Sequence, residues 1–168
     1  MRLNRVVCLL VMWIAVRAFF DRCASSQAAR IFGNTTYLTG NEYATQAATL
    51  VNGVHEEPSL NARYDDKYVY GDFNHDGLKD AAVIIIENNG GNADWYTLAF
   101  LINDGNHLVH NASRALDDRA IIYSLKEHKG KVMVDMLIHQ DGDCMAGPTK
   151  HVKNVYECSG PDVWRTGV

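Results

Sequence analysis

The sequence predicts a mainly β fold, or α+β with a minor helix, in which an antiparallel sheet hosts a calcium loop between two strands. Three observations predict it. The run AAVIII at residues 81–86 is apolar without alternation and rich in β-branched residues, the pattern of a strand covered on both faces. Segments of strand character recur at close spacing, separated by turn signals such as Asn52-Gly53 and Asn103-Asp104-Gly105. The helix-like stretches, 112–118 or 41–50, are short. A chain of 168 residues with 47% hydrophobic content is the size of one domain and can pack a core.

Taken in order, the first element is a leader. Arg2 and Arg5 precede an apolar run over 6–16, followed by small residues over 23–29. That order describes a secretory signal peptide over residues 1–28, with Ser26-Gln27-Ala28 as the small-x-small site and Ala29 as the new terminus. Arg17, Asp21 and Arg22 lengthen the region before the site. Eleven apolar residues are too few to span a bilayer, so an uncleaved anchor is the weaker reading and the mature chain carries no membrane span. Cys23 follows Phe20, Asp21 and Arg22, which lack the small aliphatic pattern of a lipidation site. The expected location is secreted or periplasmic, and residues 29–168 form the single β-rich domain.

Within that domain, 36–44 and 45–51 read as strands closing on the Asn52-Gly53 turn. Residues 68–70 favour β structure before the loop, and 83–86 are a buried strand after it. Residues 95–102 form an apolar strand that ends at the 103–105 turn, with 107–109 continuing as its partner. Residues 120–126 alternate weakly. The 128–130 turn leads into an alternating strand over 131–139, and a loop over 140–150 separates it from a strand over 151–158.

The central functional signal is DFNHDGLKD over residues 72–80. Alternate residues of a tightly wound loop point inward, so Asp72, Asn74, Asp76 and Asp80 can converge, and Leu78 can offer its carbonyl. Gly77 permits the sharp turn between them. Three carboxylates, an amide oxygen and a carbonyl make a hard, all-oxygen cage suited to Ca²⁺. The bare alternative is an Asx-rich turn, but carboxylates this close repel one another until something neutralises them. An EF-hand is excluded, because loop position 12 is Val83 rather than a bidentate glutamate and a strand follows in place of a helix.

The loop resembles the calcium loops of FG-GAP repeats in integrin-type β-propellers. It occurs once, and no other segment repeats at a period of 20–50 residues, so a propeller is not expected. A broader set of motifs accompanies it: Gly71 through Val83, Gly90-Gly91, Tyr96 through Ala99, Asn103, Asp118-Arg119, Gly130 through Asp135 and Pro148-Thr149. Across residues 65–158 these resemble a family of small secreted or periplasmic bacterial proteins of unknown function with a single FG-GAP-like calcium loop. The resemblance implies fold and location, and no chemistry. Where that family carries adjacent cysteines before Pro-Thr, this chain has Cys144, Met145, Ala146 and Gly147, so no disulfide carries over.

Charge excludes one class of partner. Removing residues 1–28 takes four arginines and one aspartate, which leaves 12 basic and 19 acidic residues and a formal charge of −7. No basic patch is available to track phosphates, and nucleic acid is not an expected partner. The partner, extracellular or periplasmic, is unknown from sequence. Cys144 and Cys158 would pair in an oxidising compartment, but Cys158 lies towards the far end of a hairpin from the loop that carries Cys144, and the pairing stays open.

Other constellations are weaker. His139, Cys144 and His151 invite a thiol-hydrolase reading, for which nothing in the spacing shows contact. His107 and His110 lack further zinc ligands at ligand spacing. Asp141 and Asp143 could be a carboxylate pair, but lie on a Gly-containing turn with no sugar platform beside them. Asn34 and Asn111 head glycosylation sequons that matter only in a eukaryotic host, and Ser113 lacks a nucleophile-elbow context. The expected function is a calcium-binding domain with a structural metal and no catalysis. The alternatives are a calcium-dependent hydrolase and an adhesion or inhibitor module presenting Trp95, Tyr96 and Trp164.

Overall fold

The computed structural model describes residues 26–41, 44–144 and 147–167. The apolar leader run and Cys23 lie outside the described residues. A short helix, α1, covers 26–32. Eleven strands follow: β1 Thr36–Asn41, β2 Ala44–Thr49, β3 Val54–Glu57, β4 Leu60–Gly71, β5 Asp80–Asn88, β6 Trp95–Asn103, β7 Leu108–Asp118, β8 Ile121–His128, β9 Lys131–Ile138, β10 Lys150–Ser159 and β11 Asp162–Gly167. The fold is mainly β, and each paired set of strands is antiparallel.

Strands β3 to β7 form a five-stranded meander in sequence order, and β8 to β11 form a second, four-stranded meander. β1 and β2 make a separate hairpin. The chain thus builds three layers, and the middle one is the five-stranded sheet. Its central strand is β5, which explains the unbroken apolar run. Ala82, Ile84 and Ile86 face the four-stranded sheet, packing with Val132, Val134 and Met136. Ala81, Val83 and Ile85 face the other way, onto Phe32 of α1, Tyr37 of β1 and Ala48 of β2. With both faces covered there is no solvent side on which a polar residue would be favoured.

Two expectations need correction. Residues 112–118 are the second half of β7, and 41–50 contain β2; no described residue of either stretch is helical. Alanine-rich composition suggests helix in isolation, but pairing to β6 and to β1 overrides that weak propensity. The helix sits instead at 26–32, where Ala28 and Phe32 are buried against the sheet. Residue 28, read as the last of the leader, falls inside this helix. No helix among the described residues is long and apolar enough to cross a membrane.

Cys144 is exposed, Cys158 is buried, and both thiols are free. The β9–β10 register carries Tyr156 opposite Val132, so Cys158 lies at the hairpin end remote from the 139–149 connection. That separation keeps the two sulfurs apart.

Candidate functional site

The 72–80 segment is the connection between β4 and β5, closed by the Gly71–Asp80 pair. Three kinds of contact hold it. Phe73 points into the space between the two large sheets, edge-on to Phe100 at 5.3 Å. Asp80 is fully buried. Its Oδ2 accepts from the Phe73 amide and its Oδ1 from the Asn103 amide, each at 2.8 Å. One carboxylate thereby ties the loop to the end of β6.

The remaining residues form a ladder of side-chain acceptors. Asp72 Oδ1 accepts from the Asp76 amide and Oδ2 from the Gly77 amide, both at 3.1 Å. Asn74 Oδ1 accepts from the Asp76 amide at 3.1 Å, and Asp76 Oδ1 from the Leu78 amide at 2.7 Å. Asn74 Nδ2 donates to Asp76 Oδ2 at 2.7 Å. The backbone coils tightly through positive φ at His75 (63°) and Gly77 (84°). A Cβ at position 77 would meet nothing within 4 Å, so backbone conformation and not space favours glycine there. Leu78 exposes its side chain.

The structure therefore brings Asp72 and Asn74 together on the Asp76 amide, with Asn74 also bonded to the Asp76 carboxylate, while Asp80 anchors the loop from beneath. Among the described residues none of the ion pairs involves Asp72, Asp76 or Asp80. Each carboxylate oxygen has two lone pairs, so one amide apiece leaves acceptor capacity for a cation. Residues 74–79 are exposed, so a cation can reach the loop.

A second acidic group was not anticipated. Asp117 and Asp118 end β7, and His139 follows β9 directly. Ligand atoms of the three lie within 4.8 Å of one another, so the group could hold a metal ion. The carboxylates of Asp72, Asp76 and Asp80 do not form such a group of three, and both Asp80 oxygens accept from amides. A bulge in the β6–β7 ladder beside Tyr96 makes Leu116 the extra residue and re-aims the two aspartates after it. The chain crosses from one sheet to the other at this point, and β8 pairing with β9 brings residue 139 back to the crossing. The His139 amide donates to Asp117 Oδ2 at 2.8 Å, and its Nδ1 lies 3.7 Å from Asp117 Oδ2 and from Asp118 Oδ1. Neither ring nitrogen has a hydrogen-bond partner or measurable exposure. Arg119 Nη1 donates to Asp118 Oδ2 at 2.5 Å and offsets part of the local charge.

The remaining candidates separate in space or find ordinary partners. His151 Nε2 and Asp135 Oδ1 pair at 2.5 Å, and this contact is the main cause that holds the Asp135 carboxyl below the usual carboxylate range. Cys144 makes no side-chain bond to His139 or His151 among the described residues. Burial pushes the Cys158 thiol up, away from the reactive thiolate. His110 meets Ser113 Oγ at 2.8 Å and the edge of Tyr37, and burial pushes its pKa down; His107 is exposed elsewhere. Asp143 accepts from the Thr149 hydroxyl and from the amides of Thr149 and Gln140, and the hydroxyl chiefly lowers its pKa. It closes a loop. Trp95 and Trp164 are exposed on different sheets, and Tyr96 is half-buried against the core between the sheets.

Compared with protein-family models, with curated proteins and with solved structures, the chain finds no match in any of the three.

Proposed function

We propose that this is an exported calcium-binding β domain, akin to the small bacterial proteins its loop resembles, in which Asp72, Asn74, Asp76, Asp80 and the Leu78 carbonyl hold one Ca²⁺ in a structural role. The observation that carries the reading is the clustering of Asp72, Asn74 and Asp76 around the loop's own amides, with acceptor lone pairs left over. Asp80, buried beneath them, accepts from the amides of Phe73 and Asn103 and ties the loop to β6. The donor set is all oxygen, which suits a hard cation, and the exposed loop suits Ca²⁺ over Mg²⁺, whose smaller shell demands octahedral geometry. A bound ion would neutralise the loop and reinforce the junction of β4, β5 and β6. Calorimetric titration of the purified protein with CaCl₂ tests this: one Ca²⁺ per chain is expected, and Asp76→Ala should abolish it. No heat with either protein would reduce the loop to a turn.

A second reading rests on Asp117, Asp118 and His139. An imidazole nitrogen among carboxylates favours a borderline metal such as Zn²⁺ over Ca²⁺. On that reading the metal-dependent element is the crossing between the sheets. Titration with Co²⁺ as a spectroscopic stand-in should then produce d–d bands that His139→Ala removes.

A further inference from the structure

A cleft of about 620 Å³ opens between α1 and one end of the five-stranded sheet, where β4, β6 and β7 meet their loops. Its volume is that of a small-molecule site. The lining is unusual for an acidic protein, because no Asp or Glu contributes to it. Arg30 from α1, Lys79 from the end of the 72–80 loop and His107 from the β6–β7 turn supply cationic or ionisable groups around it. Neither Arg30 nor Lys79 forms an ion pair with a carboxylate among the described residues. The Lys79 ammonium instead stands 4.3 Å from the centre of the Tyr70 ring.

Tyr68 and Tyr70 form the aromatic side of the cleft. They lie two apart on β4 and so share a face of the strand. Their rings meet edge to face at 5.6 Å, and Phe32 of α1 packs behind them at 5.1 and 6.1 Å. Both rings are therefore fixed before any ligand arrives. Neither phenol has a hydrogen-bond partner among the described residues, and the Asn106 side-chain amide is likewise uncommitted, its backbone N–H alone donating to Asp104. The cleft offers a charge-complementary wall, a planar apolar wall and spare neutral donors, all on supported elements.

We propose that this cleft binds a small organic anion, a carboxylate or phosphate ester carried on a planar apolar body. Arg30 and Lys79 take the anion, Arg30 through its two-pronged guanidinium. Tyr68 and Tyr70 take the planar body by ring contact. None of its three basic groups is a proposed metal ligand, though Lys79 stands between Leu78 and Asp80, and the site belongs to the chain that keeps α1 whole, before any cut after Ala28.

Binding of phenyl phosphate, benzoate and the neutral benzamide to the purified protein, followed by calorimetry and by tyrosine fluorescence, tests the proposal. Phenyl phosphate or benzoate should bind, and benzamide should bind at least roughly tenfold more weakly. The tighter of the two anions identifies the headgroup class. Arg30→Gln and Lys79→Gln alter exposed side chains, and each should lower anion affinity roughly tenfold with an unchanged thermal melt. Tyr68→Leu should weaken phenyl phosphate while leaving inorganic phosphate unaffected. Raising NaCl from ~0.05 to ~0.5 M should weaken both anions, as screening requires. Equal binding of benzamide and benzoate, or full anion affinity in the Arg30→Gln/Lys79→Gln double variant, would overturn the proposal. So would the absence of binding by either anion at ~10 mM, below the affinity of even a weak specific site.

Discussion

The 72–80 loop and the Asp117–Asp118–His139 group are both acidic, and they are built in opposite ways. The loop is local: nine consecutive residues, mostly exposed, with oxygen donors alone. The group is assembled by the fold: its histidine lies 21 residues beyond the adjacent aspartates, all three are partly buried, and one is an imidazole. The loop places its acceptors through its own backbone amides and reaches the core only through Phe73 and Asp80. The group owes its convergence to a bulge, a crossing and a strand register. A local site can lose its ligands while the fold persists. An assembled one changes whenever the sheets shift.

The sharpest way to break this contrast is Asp80→Ala. It leaves the buried Phe73 amide and the half-buried Asn103 amide without their acceptor. At ~1–3 kcal/mol for each unsatisfied donor, a loss of about 2–6 kcal/mol is expected in urea denaturation with EGTA present. A loss below ~1 kcal/mol, less than one buried donor costs, would mean the loop is not tied to β6 in this way. Next comes Gly130→Ala. Residue 130 has φ 73°, and a Cβ there would run into the His75 ring. A cost of roughly 1–3 kcal/mol is expected from strain and contact together. His75→Ala in the same chain should restore part of it, and failure to do so would show that the loop and the β8–β9 turn are not in energetic contact.

Calcium itself should matter less. Without a bidentate glutamate, a dissociation constant near ~10⁻⁴ to 10⁻³ M is expected. Millimolar Ca²⁺ then adds only about 0.4–1.4 kcal/mol, a few degrees in a thermal melt. Asp76→Ala should remove that increment and leave a folded domain, and Leu78→Ala should leave it intact. The smallest expected effect, and the most discriminating, is His139→Ala. It should abolish any Co²⁺ spectrum while the calcium increment in the melt stays as it was. Loss of both together would mean the two acidic regions act as one.

The five-stranded sheet is legible in sequence because its centre is written in side-chain chemistry. Six apolar residues without alternation at 81–86 admit few other readings, and the Asn52-Gly53 turn carries its own signature, with φ of 54° and 97°. The 72–80 loop is legible for the same reason, since its spacing and its glycine are local. The Asp117–Asp118–His139 group is not. Reading 112–118 as helix hides the two aspartates, and nothing in the strand over 131–139 announces where its last residue meets another sheet. That meeting depends on which strands pair and on one bulged residue, Leu116, neither of which leaves a periodic trace. The helix at 26–32 is hidden differently. Its small residues satisfy a cleavage pattern and a helix packed on a sheet equally well.

The three-layer arrangement has a consequence for the order in which the molecule is made. Synthesis runs from the amino end, so α1 and the β1–β2 hairpin emerge before the surface that covers them exists. That surface needs Ala99 and Leu101 of β6 beside Ala81, Val83 and Ile85 of β5. Until about sixty further residues have appeared, Phe32 and Tyr37, both without exposed surface in the finished fold, have no permanent neighbours. The earliest part of the domain waits longest for its place, and during that interval its apolar side chains are open to wrong partners.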